Sequence, residues 1–328
     1  MSSKAVSLKA IAQQLNVSIN TVSHALRDKD DISEELKIKI RRKAIELGYM
    51  PNHVAQNMKK DEKPLVGIIV GSFMNLFFNI FSNELTRLFQ AKNEYDFLFL
   101  YSGHFDINVL KQCVLLRVDL VVTHNEPDKS AYEFALLNNI KIVFVGGAHV
   151  SDMVDTVDRV IIDHKMGCSL AARYLRNCCN SRKFVYVGPK YYLSDYRYKL
   201  FSDEINALDE GCEVICFTEE EDIRVLYGYI SGGYRNLFFY NDTIAYEVLA
   251  RLDTVIVDIR RSFPDLNIIG FDGLCEYVSG LQQISTIKIN FPEFALSTYE
   301  VIHNRLEFPK KPVQQLVLPV TLHKMSEN

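Results

Sequence analysis

Asn20 and His24 stand one helical turn apart, with Ile19 and the hydroxyls of Ser18, Thr21 and Ser23 around them. On the outward face of a helix such side chains can bond base edges or phosphates. A second set is spread along the chain: Asn75 with Phe77 and Phe78, then Asp163, Arg197, Asn241 and Asp272. A guanidinium fork, carboxylates and carboxamides beside aromatic rings could hold adjacent hydroxyls of a small polar ring such as a sugar or nucleoside. Each Asp or Asn in this set also suits a plain helix cap, Asn241 before TIAYEVLARL above all. Nucleophile elbow, P-loop, paired-histidine zinc and dinucleotide motifs are all missing, and the eight histidines follow no metal spacing, so no catalytic residue, cofactor or metal is assigned.

The elements that position the first set lie in LKAIAQQLNVSINTVSHALRD, residues 8–28. Leu8, Ile11, Ala12 and Leu15 recur at i, i+3, i+4 and i+7, which gives a short helix one apolar stripe. Asn16 and Val17 make a turn, Ser18 can cap a second helix, and Val22, Ala25 and Leu26 turn that helix back onto the first. The spacing is that of a helix-turn-helix, although an ordinary helical hairpin would share it. Ser33, Glu34 and Glu35 open a third helix whose buried face is Leu36, Ile40, Ala44 and Leu47, ending at Gly48.

The second set depends on a different pattern. After the polar stretch NMKKDEKP (57–64), which reads as a linker, apolar runs alternate with helical stretches. Runs at 65–73, 95–102, 118–124 and 141–147 read as buried parallel strands with helices near 77–93, 106–116 and 130–139; runs at 159–163, 183–189, 212–217, 236–241 and 267–273 form a second series. Two such series predict two doubly wound parallel α/β layers, and residues just past each strand are where ligands collect.

Composition sets the outer bounds. The 328 residues are 48% hydrophobic, enough for two or three domains. Net charge is −4, but residues 1–63 carry +4 and the remainder −8, so only the N-terminal piece is drawn to phosphate. Seven cysteines without a CxxC fit reduced thiols in a cytosol, and no signal-like or membrane-spanning apolar run is present.

Val17-Ser18, Thr21-Val22-Ser23, Leu47-Gly48-Tyr49, Pro51-Asn52 and Ala55 together resemble the DNA-binding end of the LacI/GalR family of bacterial repressors. The likeness extends along the chain. SFMNLFFNIF resembles the family's serine-asparagine-proline-phenylalanine-phenylalanine stretch, RYKLF its effector-gripping arginine segment, FFYNDTIAYEVL its asparagine-aspartate helix start, and IIGFDG its glycine-phenylalanine-aspartate loop. The resemblance implies a helix-turn-helix domain (1–50), a hinge helix and linker (51–64) with Asn52, Ala55, Gln56 and Met58 at DNA, and a periplasmic-binding-protein-like effector and dimerisation domain (65–328). Lobe one would comprise about 65–159 and 291–318, lobe two about 160–288 and 319–328, with crossings near 158–161, 288–291 and 317–320. It implies a cytoplasmic homodimer on operator DNA, most simply a repressor, whose affinity is set by a carbohydrate-like effector.

Departures from the family pattern qualify that expectation. Gly146-Gly147 replace an aspartate-arginine pair, His164 replaces an asparagine, Leu200 a glycine, Met58 a leucine wedge, and His24 the recognition-helix arginine. Two alternatives stay open: a regulator whose core answers to a phosphocarrier protein beside a vestigial pocket, and, more remotely, a sugar-kinase-like enzyme, whose phosphate loop is absent.

Overall fold

The computed structural model describes residues 8–26, 29, 31–46, 63–71, 75–125, 129–147, 156–178, 181–256, 258–278 and 284–325. It divides into two compact units, Met1–Glu62 and Lys63–Asn328.

The first unit holds α1 (Leu8–Leu15), α2 (Ile19–Leu26) and α3 (Glu34–Glu46). Asn16, at φ 53°, takes the left-handed step between α1 and α2 that asparagine tolerates better than most residues. Ile11, Ala12, Val22, Ala25, Ile40 and Ala44 close a small core, with Leu8, Leu15, Leu26 and Leu36 at its margin. The stripes read from the sequence are thus the contacts that hold the three helices together. Leu47, Gly48 and the expected hinge helix fall outside the described residues.

The second unit continues with β1 (Leu65–Val70), α4 (Leu76–Lys92), β2 (Asp96–Tyr101), α5 (Ile107–Leu116), β3 (Leu120–Thr123), α6 (Lys129–Leu137), β4 (Lys141–Val145), β5 (Asp158–Ile162) and α7 (His164–Cys178). Then come β6 (Lys183–Gly188), α8 (Tyr192–Leu208), β7 (Glu213–Thr218), α9 (Ile223–Ser231), β8 (Asn236–Phe239), α10 (Asp242–Leu252), α11 (Ile259–Ser262), β9 (Asn267–Asp272), β10 (Ser285–Lys288), α12 (Phe291–Glu307), β11 (Gln315–Leu318) and β12 (Thr321–His323). One sheet has the order β11-β5-β4-β3-β1-β2 and the other β12-β10-β9-β8-β6-β7. Pairing is parallel except for β10 with β12. Central strands such as β3, β5 and β8 are buried along their whole length, as expected where helices cover both faces. The α/β class, with helices at the N-terminus and two parallel layers, is as expected.

Asp158–Ile162 corrects one expectation. The run at 159–163 was assigned to the second series, yet β5 pairs with β4 and β11 in the first sheet. A boundary at 159/160 would cut that strand; the chain leaves the first sheet after Ile162, and α7 packs on the second. The later passages lie between β10 and α12, which packs on α4, and between β11 and β12. Strand membership depends on distant partners, so an isolated apolar run does not reveal it. β10 (STIK), β11 (QLVL) and β12 (TLH) lie outside the expected strands, because each is short and mixes polar with apolar residues, whereas β3 and β8, no longer than β10 or β11, sit within longer apolar runs.

Candidate functional site

In the first unit, Ser18 Oγ accepts a hydrogen bond from Thr21 N at 3.0 Å and lies 2.8 Å from Thr21 Oγ1, so this hydroxyl pair opens α2 as an N-cap. Ile19 is 48% exposed and Asn20 is exposed, while Thr21, Ser23 and His24 are half-buried. Asp31, which sequence reasoning did not single out, lies with Oδ2 2.6 Å from His24 Nδ1. That contact fixes one edge of the ring and leaves Nε2 to address a partner. Asn52, Ala55, Gln56 and Met58 lie outside the described residues.

In the second unit, the carboxyl ends of both sheets border a cavity of about 300 Å³. Its lining includes Asn75, Phe77, Phe78, Arg197, Asn241 and Asp272. The chain carries these six on four separate segments, and strand ends bring them together. Asp163, expected among them, does not line the cavity: its Oδ1 accepts the Met166 amide at 2.8 Å and caps α7. The cap function that competes for every such aspartate took this one.

Two asparagines do both jobs. Asn75 Oδ1 accepts from Phe77 N at 3.0 Å and Asn241 Oδ1 from Ile244 N at 2.8 Å, capping α4 and α10 while their residues line the cavity. Next to Asn241, buried Asp242 accepts from the Gly273 and Leu274 amides at 2.9 and 2.8 Å and from Thr286 Oγ1 at 2.7 Å. These bonds hold the loop after β9, where Asp272 sits. Burial pushes the Asp242 carboxyl up to about 7, with the three donors opposing the rise.

Asp272 ends β9 at φ 117°, a backbone region rarely entered by side-chain-bearing residues and maintained at functional sites by surrounding contacts. Its side chain borders the cavity and is 4% exposed. Burial raises its carboxyl well above the usual carboxylate value, Arg197 draws it down, and Asp242 raises it again. Arg197 is 4% exposed. Its Nη1 donates to the Tyr240 carbonyl, its Nε to His164 Nδ1 at 3.2 Å, and its guanidinium carbon lies 3.8 Å from the Phe271 ring centroid and 4.7 Å from that of Tyr240.

His124 escaped the sequence reading although it immediately follows β3. It lines the cavity 3.9 Å from the Phe78 ring, centroid to centroid, and burial pushes its imidazole down to about 4, so the ring is neutral at physiological pH. Tyr191, Tyr192 and Tyr240 add further rings. The departure at Gly146-Gly147 now has a steric reason. A Cβ at Gly147 would fall 2.3 Å from Phe144 Cζ, and one at Gly146 would touch Phe77 on a backbone of φ +82°. Among the described residues no cluster of three His, Cys, Asp or Glu side chains could hold a metal, and no helix is long and apolar enough to cross a membrane.

Residues 7–52 match the model of bacterial regulatory proteins, lacI family. The HTH-type transcriptional regulator RegA of Clostridium saccharobutylicum is 34% identical over 115 residues, covering 35% of this chain and 33% of RegA. The match thus spans about a third of that regulator's length. The probable HTH-type transcriptional repressor ExuR of Bacillus subtilis is 24% identical over 301 residues, 86% of each chain. The solved structure of a LacI family transcriptional regulator from Enterococcus faecium with bound ribose superposes with a TM-score of 0.66 at 19% identity, covering 79% of this chain and 97% of that one. Residues 7–52 thus match the lacI-family helix-turn-helix, the relatives are named as transcriptional regulators, and the chain as a whole is similar to LacI/GalR-type regulators, with a two-sheet fold of the same kind.

Proposed function

We propose that this chain is a sequence-specific DNA-binding repressor whose operator affinity is set by a small, polar, carbohydrate-like effector held between the two sheets. The observation that carries the effector half is the convergence of Arg197, Asn241 and Asp272 with Phe77 and Phe78 on one cavity of about 300 Å³. Donors and acceptors on one side and rings on the other complement a ring with polar edges and apolar faces. The lacI match over residues 7–52 and the exposed Asn20 support the DNA half. A homodimer follows from the short reach of one recognition helix, since two-fold pairing doubles the number of base pairs read.

Footprinting tests the DNA half, with Asn20→Ala/His24→Ala expected to lose about 1–3 kcal/mol for each base contact removed while low-salt nonspecific binding persists. Protection identical to wild type would remove these residues from the interface. Operator binding titrated with neutral sugars and nucleosides tests the effector half. Reciprocal linkage requires that any ligand that shifts operator affinity is itself bound differently when operator is present. A response only to an added phosphocarrier protein would transfer control to a protein corepressor and leave the cavity vestigial.

A further inference from the structure

His164 stands where the resembling family has asparagine, and Gly146 where it has one of a charged pair. In this fold the two meet. His164 Nε2 lies 3.2 Å from the Gly146 carbonyl, which follows β4 of the first sheet. Its Nδ1 lies 3.2 Å from Arg197 Nε and 3.1 Å from Arg197 Nη2, on α8 beside the second sheet. Only one arrangement of protons satisfies both contacts: Nε2 carries hydrogen and donates to the carbonyl, and Nδ1 accepts from arginine. The ring is 3% exposed. Burial and the adjacent guanidinium both hold it well below the usual histidine value, hence neutral, as that arrangement requires.

This contact uses a particular edge of Arg197. Nε and Nη2 form the pair of parallel donors with which arginine grips a carboxylate or phosphate bidentately. Here both point at one imidazole nitrogen, Nη1 reaches the Tyr240 carbonyl, and the flat faces lie over Phe271 and Tyr240. Among the described residues lining the cavity Arg197 is the only lysine or arginine, and Asp272 lines it too. Resting on the effector reading above, we propose that His164 is a positioning residue that occupies the bidentate edge of Arg197, ties the Gly146 turn to α8, and makes the cleft discriminate against anionic effectors.

The test uses the full chain. Ring-nitrogen NMR of wild type at pH 7 is expected to show His164 with a bare Nδ1 and a protonated Nε2; a protonated Nδ1 overturns the proposal. Calorimetry then compares matched probes, ribose with ribose 5-phosphate and glucose with glucuronate. Wild type is expected to favour the neutral member of any pair it binds by at least tenfold. His164→Gln, whose amide can donate to Gly146 and whose carbonyl can accept from Arg197, keeps that preference. His164→Leu, which cannot, is expected to gain at least tenfold in affinity for the anionic member. Equal binding of neutral and anionic probes by wild type, or an unchanged preference in the leucine variant, overturns the proposal but leaves the effector cleft standing. Failure of every probe to bind, even in the presence of the expected tautomer, overturns both readings.

Discussion

The two walls of the cleft are made of different materials. On the first-sheet side stand Phe77, Phe78, His124, Val145 and the bare backbone of Gly146 and Gly147, with Asn75 and Asn125; on the second-sheet side stand Arg197, Asn241 and Asp272, with Tyr191, Tyr192 and Tyr240. Rings and carboxamides stand on both walls, but the guanidinium and the carboxyl stand on the second, so the first is weighted toward rings and shape and the second toward directed donors and acceptors. Their internal support differs in the same sense. Phe77 packs edge-on against Phe78 and Phe291, with ring centroids 5.0 and 5.3 Å apart, whereas the Asp272 loop hangs on hydrogen bonds to one buried carboxylate, Asp242. Substitutions on the first wall should therefore act mainly through packing, and those on the second mainly through desolvated polar groups. A ligand touching both would bind tightest with the sheets drawn together, the geometry a two-lobed regulator needs to transmit a signal.

The largest expected effect tests the polar wall. Asp272→Ala removes a buried carboxyl that stands beside the Arg197 guanidinium, and leaving that guanidinium and the effector's polar groups without this partner in a desolvated cleft should cost about 2–5 kcal/mol of effector affinity, with operator binding intact. A variant that still responds at wild-type effector concentration would sink the assignment of directed recognition to this wall.

The next largest concerns what supports the polar wall. A carboxyl whose folded value is about 7 against an ordinary 3.8 binds protons more readily folded than unfolded. Between pH 4 and pH 7 its contribution to stability is therefore present at the acid end and lost as pH rises. A difference of that size corresponds to up to about 4 kcal/mol, the ceiling set by 1.4 kcal/mol per unit. Urea unfolding of wild type and Asp242→Asn at pH 5 and pH 8 should show the variant lacking this fall; parallel behaviour of the two proteins would mean that Asp242 is ionised without strain.

A smaller effect tests the packed wall. Gly147→Ala drives a methyl into Phe144 and should lower stability by about 1–3 kcal/mol, with any loss of effector affinity following from displaced rings. Unchanged urea midpoints would show that Phe144 swings aside freely. The smallest is Phe78→Leu, which keeps an apolar side chain but removes the ring against His124. Effector affinity should fall by about 0.5–1.5 kcal/mol, the usual worth of an aromatic pair beyond its area. A loss as large as that of Asp272→Ala would erase the contrast between the walls.

Much of the first unit was legible because its evidence is local. Leu8, Ile11, Ala12 and Leu15 announce a helix through spacing alone, and Ser18 caps the next helix only three residues from Thr21. The cleft was legible in part: six of seven expected effector residues line it, because strand–helix alternation identifies strand ends and ligands collect there. Asp163 was misread because an aspartate after a strand looks the same in sequence whether it caps a helix or faces a cavity. His124 was missed because one histidine after a four-residue strand carries no pattern.

By itself the sequence determined the α/β class, the three N-terminal helices and most strands and helices of the second unit, all of which follow from periodicities of a few residues. The tertiary structure decided which sheet β5 joins, that Arg197 meets His164 33 residues away and that His164 meets Gly146 18 residues away. These contacts depend on how elements stack and on which polar groups must find partners once water is excluded. That choice is made among side chains far apart in the chain, so no local window contains it.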